Sequence, residues 1–220
     1  VLEGLGLNLK APLTSAVDAI STTGVTFLFA PAWHPALVNL APLRRSLGVR
    51  TVFNLLGPLV NPLQPQAQVL GVARADLLDP MAGALNQLRL ERAVVVHGAG
   101  GLDEASLAGA NELRMVEAGK PIAPRIVSPD DLGLAAAPLE ALRGGDLADN
   151  QRILENVLKG EATPAQMDVV AFNTALVLWV AGVELDLKAA ARRASATLRD
   201  GLPWQKLQDL QRALAHGNGE

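Results

Sequence analysis

The sequence predicts an α/β fold built around a βαβ unit whose two strands pair in parallel, followed by a run of helices. Three observations carry that prediction. Two strand-like runs, Gln68 to Ala73 and Ala93 to His97, bracket a helical pattern within about thirty residues, the spacing of a βαβ unit. Beyond residue 136 the periodicity is almost wholly helical. Half of the 220 residues are hydrophobic, which supplies an ample core for one large domain or one domain with a small appendage.

Taken in order, Val25 to Phe29 is rich in β-branched and aromatic residues and reads as a first strand. Ala36 to Leu47 reads as a helix that ends near Gly48. A short helical run follows, and Gly57-Pro58 forces a turn. Within the βαβ unit, Leu77, Leu78, Met81, Leu85 and Leu88 recur at helical spacing over Ala75 to Leu88. Leu113 to Val116 is a further short strand. Helices are expected over 136–143, 148–159, 164–181, 186–199 and 203–215. Gly144-Gly145 ends the first of these, and Asp146 with Asp149 resembles a capping box opening the second. The apolar run Val169 to Val183 is short for a membrane span and contains Asn173, so it reads as a buried helix. The last five residues, His216 to Glu220, read as a frayed tail.

Bulk properties exclude several functions. A net charge of -3 offers no footprint for nucleic acid or an anionic membrane. Aromatic residues are 3% of the chain and tyrosine is absent, which leaves little to stack single-stranded bases on. Without cysteine there are no disulfides and no thiolate metal sites, as suits a cytoplasmic protein. The opening residues carry neither a basic segment nor an uninterrupted apolar one of the signal-peptide kind.

The segment from Arg44 to Pro62 mixes three guanidinium groups, two side-chain amides and two prolines with apolar residues. A stretch that only fills a core does not need that mixture, because each buried polar group must find a partner. Arg44 lies along the apolar stripe of Leu37, Leu40 and Leu47, either snorkelling past the core edge or offering a fork to a planar carboxylate. Asp103 and Glu104 follow the strand ending at His97 and the turn Gly98-Ala99-Gly100-Gly101, beyond the carboxyl end of a parallel strand. The pair is either a solvated loop or a site for Mg²⁺, which takes oxygen ligands and bridges to phosphates. His34, at the helix entry, caps or packs. Asn54 and Asn61 tie down turn backbone, and His97 is structural. The glycines at 98, 100 and 101 lack the spacing and lysine of a P-loop.

Five pieces in order resemble the anthranilate phosphoribosyltransferase family. They are the segment 44–62, Phe27 to Ala36, Val95 to Glu104, Gly144-Gly145-Asp146 with Asn150, and Phe172-Asn173-Thr174-Ala175. The resemblance implies a nucleoside phosphorylase/phosphoribosyltransferase-like α/β fold, with a mostly parallel central sheet flanked by helices and a small partial helical domain. The α/β domain would comprise 1–35 and 59–220, with 36–58 a segment of the helical one. It implies transfer of a phosphoribosyl group from phosphoribosyl pyrophosphate (PRPP) to anthranilate, a step of tryptophan biosynthesis. In that reading Arg44 anchors the anthranilate carboxylate, His34 and Pro58 line the acceptor pocket, and Asp103 and Glu104 bind Mg²⁺. No side chain is implied as a covalent or acid–base catalyst. A cytoplasmic homodimer is implied, with no nucleic acid or membrane partner.

Family members carry a Gly-Thr-Gly-Gly-Asp loop that grips pyrophosphate, and a further stretch of Lys, Asn and Ser contacts. Neither occurs in this sequence. The expectation is therefore a C-terminal part of a longer enzyme that supports no transfer by itself. Two other readings are a non-catalytic binding module of the same superfamily and a pyrimidine nucleoside phosphorylase-like enzyme.

Overall fold

The computed structural model describes residues 1–33 and 53–215. In chain order the main elements are helix α1 (Leu13–Thr23), strand β1 (Ala67–Gly71), helix α2 (Leu78–Gln87), strands β2 (Arg92–His97), β3 (Asn111–Glu117) and β4 (Ala123–Val127), and helices α3 (Leu147–Lys159), α4 (Pro164–Val180), α5 (Leu187–Arg199) and α6 (Leu202–Ala215). By packing, the described residues divide into two units. One draws on residues 1–33, 53–63, 145–155 and 202–215, the other on Gln64–Gly144 and Asn156–Gly201.

The larger unit holds the sheet, in the order β1-β2-β3-β4. β1 and β2 run parallel, with Val69 opposite Val94 and Gly71 opposite Val96, and α2 makes the crossover. The α/β class and the βαβ unit therefore stand. Parallel pairing, expected for most of the sheet, is confined among the described residues to this one pair. β2–β3 and β3–β4 are antiparallel. The reason is in the connections: neither the loop 98–110 nor the loop 118–122 carries the crossover helix that a parallel return needs.

β2 is central, and Ala93 to Val96 are fully buried, as a strand covered on both faces requires. Val94 and Val96 join Leu113, Phe172, Leu176 and Trp179 in one core cluster beneath α4. Alternation turns Ala93 and Val95 to the opposite face, and α2 packs on β2 and β3 with Leu78, Met81, Ala82 and Leu85 buried. Arg114 on β3 reaches Asp79 on α2 at 2.5 Å, and its hydrogen bonds hold that carboxyl below the usual range. α5 packs along α4. The expected buried helix over Val169 to Val183 is the body of α4. No described helix is long and apolar enough to cross a membrane.

In the smaller unit α1 packs on α6, burying Ala16, Ala19 and Thr23 with Leu207, Leu210 and Leu214. Lys206 Nζ donates to the Thr23 carbonyl at 2.7 Å, closing the C-terminal end of α1.

Val25 to Phe29 is not a strand. Its backbone is tied to α1 by threonines: Thr23 Oγ1 donates to the Val25 carbonyl and Thr26 Oγ1 to that of Ala16. Val25, Phe27 and Phe29 remain more than a third exposed. The helix expected over 136–143 shrinks to a 3₁₀ turn, Leu139–Leu142. Pro138 stops it from starting earlier, and Ala137 instead donates its N–H to the Leu107 carbonyl at 3.0 Å. β4 was not expected. It is an exposed edge strand containing Pro124, without the apolar alternation that marks a half-buried one.

Candidate functional site

Because β1 and β2 are parallel, their carboxyl ends lie along one edge of the sheet. The chain leaves β2 through a tight turn. Gly101 donates its N–H to the Gly98 carbonyl at 3.0 Å, and Gly98 donates its own to that of Leu102 at 2.8 Å. Gly100 and Gly101 have φ of 87° and 83°, a left-handed backbone that glycine adopts without steric cost. The turn delivers Asp103 and Glu104 back across the two strand ends.

Main-chain contact fixes them there. A Cβ added to Gly71, the last residue of β1, would lie 1.4 Å from the Asp103 carbonyl oxygen. One added to Gly98 would lie 2.0 Å from the Glu104 carbonyl oxygen. The acidic loop therefore rests directly on two glycines, a close approach that any side chain would forbid.

Two asparagines clamp the remainder of the loop. Asn173 on α4 accepts the Ala105 N–H at 2.9 Å and donates to the Ala105 carbonyl at 2.9 Å. Asn111, fully buried at the start of β3, accepts the N–H groups of Ala99 (3.2 Å) and Ser106 (2.7 Å). Its Nδ2 donates to the carbonyls of Ser106 (3.0 Å), Gly109 (3.1 Å) and Val127 (3.0 Å). His97 Nδ1 meets the Val72 carbonyl at 2.8 Å, a contact in which only the ring can donate, and so joins the ends of β1 and β2. That is the structural role expected of it.

The carboxylates themselves stay exposed, and among the described residues neither takes part in an ion pair. Nor do the described residues contain any group of three or more His, Cys, Asp or Glu able to hold a metal. Two adjacent, unneutralised carboxylates with open space fit Mg²⁺, which binds through one or two carboxylates and completes its shell with water and phosphate oxygens. They do not fit an ion that needs an all-protein cage.

Of the other expected site residues, Pro58 opens a half-buried 3₁₀ turn, Gly57–Leu59, in the other packing unit. Arg44 and His34 lie outside the described residues. Asn61 Oδ1 accepts the Leu63 N–H at 2.9 Å, the turn-tying role expected of it. Asp146 caps α3 by accepting the Asp149 N–H at 2.9 Å, whereas the Asp149 carboxylate takes Arg152, so the expected reciprocal box is half made. Asn150 grips Gly145 in both directions, at 3.2 and 3.0 Å.

Sequence reasoning missed Gly71 and Asn111 and gave Asn173 no role. The signals were a glycine ending an apolar strand and two polar residues set into buried elements.

The acidic loop thus lies across the carboxyl ends of a parallel pair, the region where open α/β sheets bind their ligands. Residues 1–203 match the model of the glycosyl transferase family, a/b domain, and the chain belongs to that family. Over all 220 residues it is 94% identical to an anthranilate phosphoribosyltransferase from Synechococcus sp. (strain CC9902), and it spans 63% of that relative's length. The crystal structure of anthranilate phosphoribosyltransferase from Thermus thermophilus superposes with a TM-score of 0.91 at 42% identity, over 97% of this chain and 63% of that one. The Saccharomyces cerevisiae enzyme in complex with PRPP and Mg shares the fold, with a TM-score of 0.88 at 24% identity over 97% of this chain and 61% of its own.

Proposed function

We propose that the chain forms the metal-binding and acceptor-binding parts of an anthranilate phosphoribosyltransferase. The reaction moves the 5-phosphoribosyl group from PRPP to the amine of anthranilate and releases pyrophosphate. The observation that carries this reading is the Asp103–Glu104 loop, seated on Gly71 and Gly98 with both carboxylates free of described partners. Relatives so named, one of them 94% identical, support it.

Asp103 and Glu104 hold Mg²⁺, directly or through its waters. When bound, the ion stabilises negative charge developing on the departing pyrophosphate. Arg44 forks the anthranilate carboxylate, and His34 and Pro58 line the acceptor pocket. The segment 36–58 belongs to the small helical domain. The attacking aniline keeps a free lone pair, so no strong base need deprotonate it before attack, and positioning supplies much of the rate. The enzyme works as a cytoplasmic homodimer and engages neither nucleic acid nor membrane.

The test grafts this chain in place of the matching region of its Synechococcus relative and follows loss of anthranilate fluorescence. Turnover matching the parent is expected. Asp103→Asn with Glu104→Gln should lower kcat about a hundredfold and move the Mg²⁺ dependence to higher concentration. Arg44→Ala should raise KM for anthranilate about tenfold with a smaller change for PRPP. A graft that folds but turns nothing over sinks the enzymatic reading.

A further inference from the structure

A cavity of about 410 Å³ opens in the larger unit and shares no residue with the acidic loop. That volume lies in the range of small-molecule sites. Leu132 at the end of the short helix Pro129–Leu132, the residues entering α4 and one face of α5 line it, and it stays open to solvent. Leu132 and Leu134, both buried, supply an apolar floor.

The walls carry charge of both signs. Asp168 projects from the second turn of α4, half-buried. Arg192, Ser195 and Arg199 follow one another at spacings of three and four on α5, which sets them on one helix face. Five described arginines pair with acids, Arg74, Arg92, Arg114, Arg152 and Arg212, and the exposed Arg192 and Arg199 are among those that do not. Among the described residues neither Arg192, Arg199 nor Asp168 makes an ion pair or side-chain hydrogen bond, although all three line the same space.

Opposite charges that share a cavity without meeting suit a ligand whose own charges are separated. We propose that this cavity binds an α-amino acid with an apolar side chain. Its carboxylate takes the guanidinium face of α5, its ammonium takes Asp168, and its side chain covers the leucine floor. A guanidinium fork matches a carboxylate in geometry as well as charge, and charge-assisted bonds there outweigh neutral ones. This inference is independent of the phosphoribosyl-transfer reading.

Calorimetric titration of the full 220-residue chain with L-phenylalanine tests it, beside phenylalaninamide, N-acetylphenylalanine and inorganic phosphate. Saturable binding of the zwitterion is expected, and each charge-blocked analogue should bind about tenfold more weakly or worse. Arg192→Ala, Arg199→Ala and Asp168→Asn should each weaken binding by a similar factor while leaving the circular dichroism spectrum intact. No saturable binding of phenylalanine overturns the proposal, as does N-acetylphenylalanine or phosphate binding equally well. Should a variant fail to fold, the analogue series still decides.

Discussion

Replacing Asn111 by alanine should destabilise the protein more than almost any other single truncation near the acidic loop. The side chain is fully buried and makes five contacts to backbone groups, from 2.7 to 3.2 Å. Alanine removes all five. Three of the abandoned partners are carbonyls, each with a second lone pair, and they lose less. The other two are the N–H groups of Ala99 and Ser106, which have a single donor each and lose their acceptor outright. At about 1–3 kcal/mol for each unsatisfied buried donor, the loss is about 2–6 kcal/mol, with about 4 kcal/mol the central expectation. For a chain of this size that lowers the thermal midpoint by about 8–16 °C. Urea denaturation followed by circular dichroism measures the change, with the slope checked for constancy so that the shift reports stability. Asn111→Asp separates the two halves of the interaction, since it keeps the acceptor but sets a carboxylate against three carbonyl oxygens. It should also destabilise. A loss under about 1 kcal/mol for alanine would mean that water replaces the amide without cost, and Asn111 would not be a clamp.

Two further expectations concern the loop and its surroundings. Gly71→Ala places a methyl against the Asp103 carbonyl, a backbone atom that no rotamer change can move aside. In the grafted enzyme it should cost about a hundredfold in kcat through displacement of the carboxylates. Gly83→Ala, on α2 with open space at its Cβ, serves as control and should gain up to about 1 kcal/mol of stability. Equal activity of the two variants would mean that the close seat on Gly71 does not position the carboxylates. Asp131, whose carboxylate accepts the Ser128 N–H and hydroxyl at 2.7 Å each, is held below the usual carboxylate range, first by the backbone bond and then by the hydroxyl. A folded-state value below the unfolded one stabilises above the unfolded pKa and ceases to do so as pH falls through the folded one. Asp131→Asn should therefore flatten the decline of stability on acidification below the ordinary carboxylate range. An unchanged acid limb in urea titrations would contradict that assignment.

The sequence disclosed those parts of the fold whose signals are local. α4, α5 and α6 have long uninterrupted periodicity and lie within one residue of their expected ends. The βαβ unit was legible because strand, helix and strand fall inside one short window. β4 was not, because an edge strand with Pro124 and Arg125 pairs on one side only and needs no apolar pattern. Val25 to Phe29 misled for the converse reason: strand-like residues without a partner strand are only an extended chain. The acidic pair could be noticed, since a glycine turn after a buried strand announces a loop at the sheet's carboxyl edge. Its support could not. Asn173 reaches across 68 positions to Ala105, and no local pattern encodes that contact.

The way this loop is held bears on what it is for. Four surface aspartates of this protein, Asp76, Asp79, Asp149 and Asp209, are fixed by arginine. Such a bond orders the carboxylate but also neutralises it, and a cation arriving later must first displace the guanidinium. A carboxylate meant to hold a divalent ion has to be ordered by other means. Around Asp103 and Glu104 every described constraint acts on the main chain: two glycines under the carbonyls, one amide on Ala105, another on Ala99 and Ser106. The backbone loses its freedom while no described guanidinium ties up the side chains, so little ordering cost would remain for the proposed binding of Mg²⁺. A loop that served only to connect β2 to β3 would have no use for that division, and two more salt bridges would have held it as well.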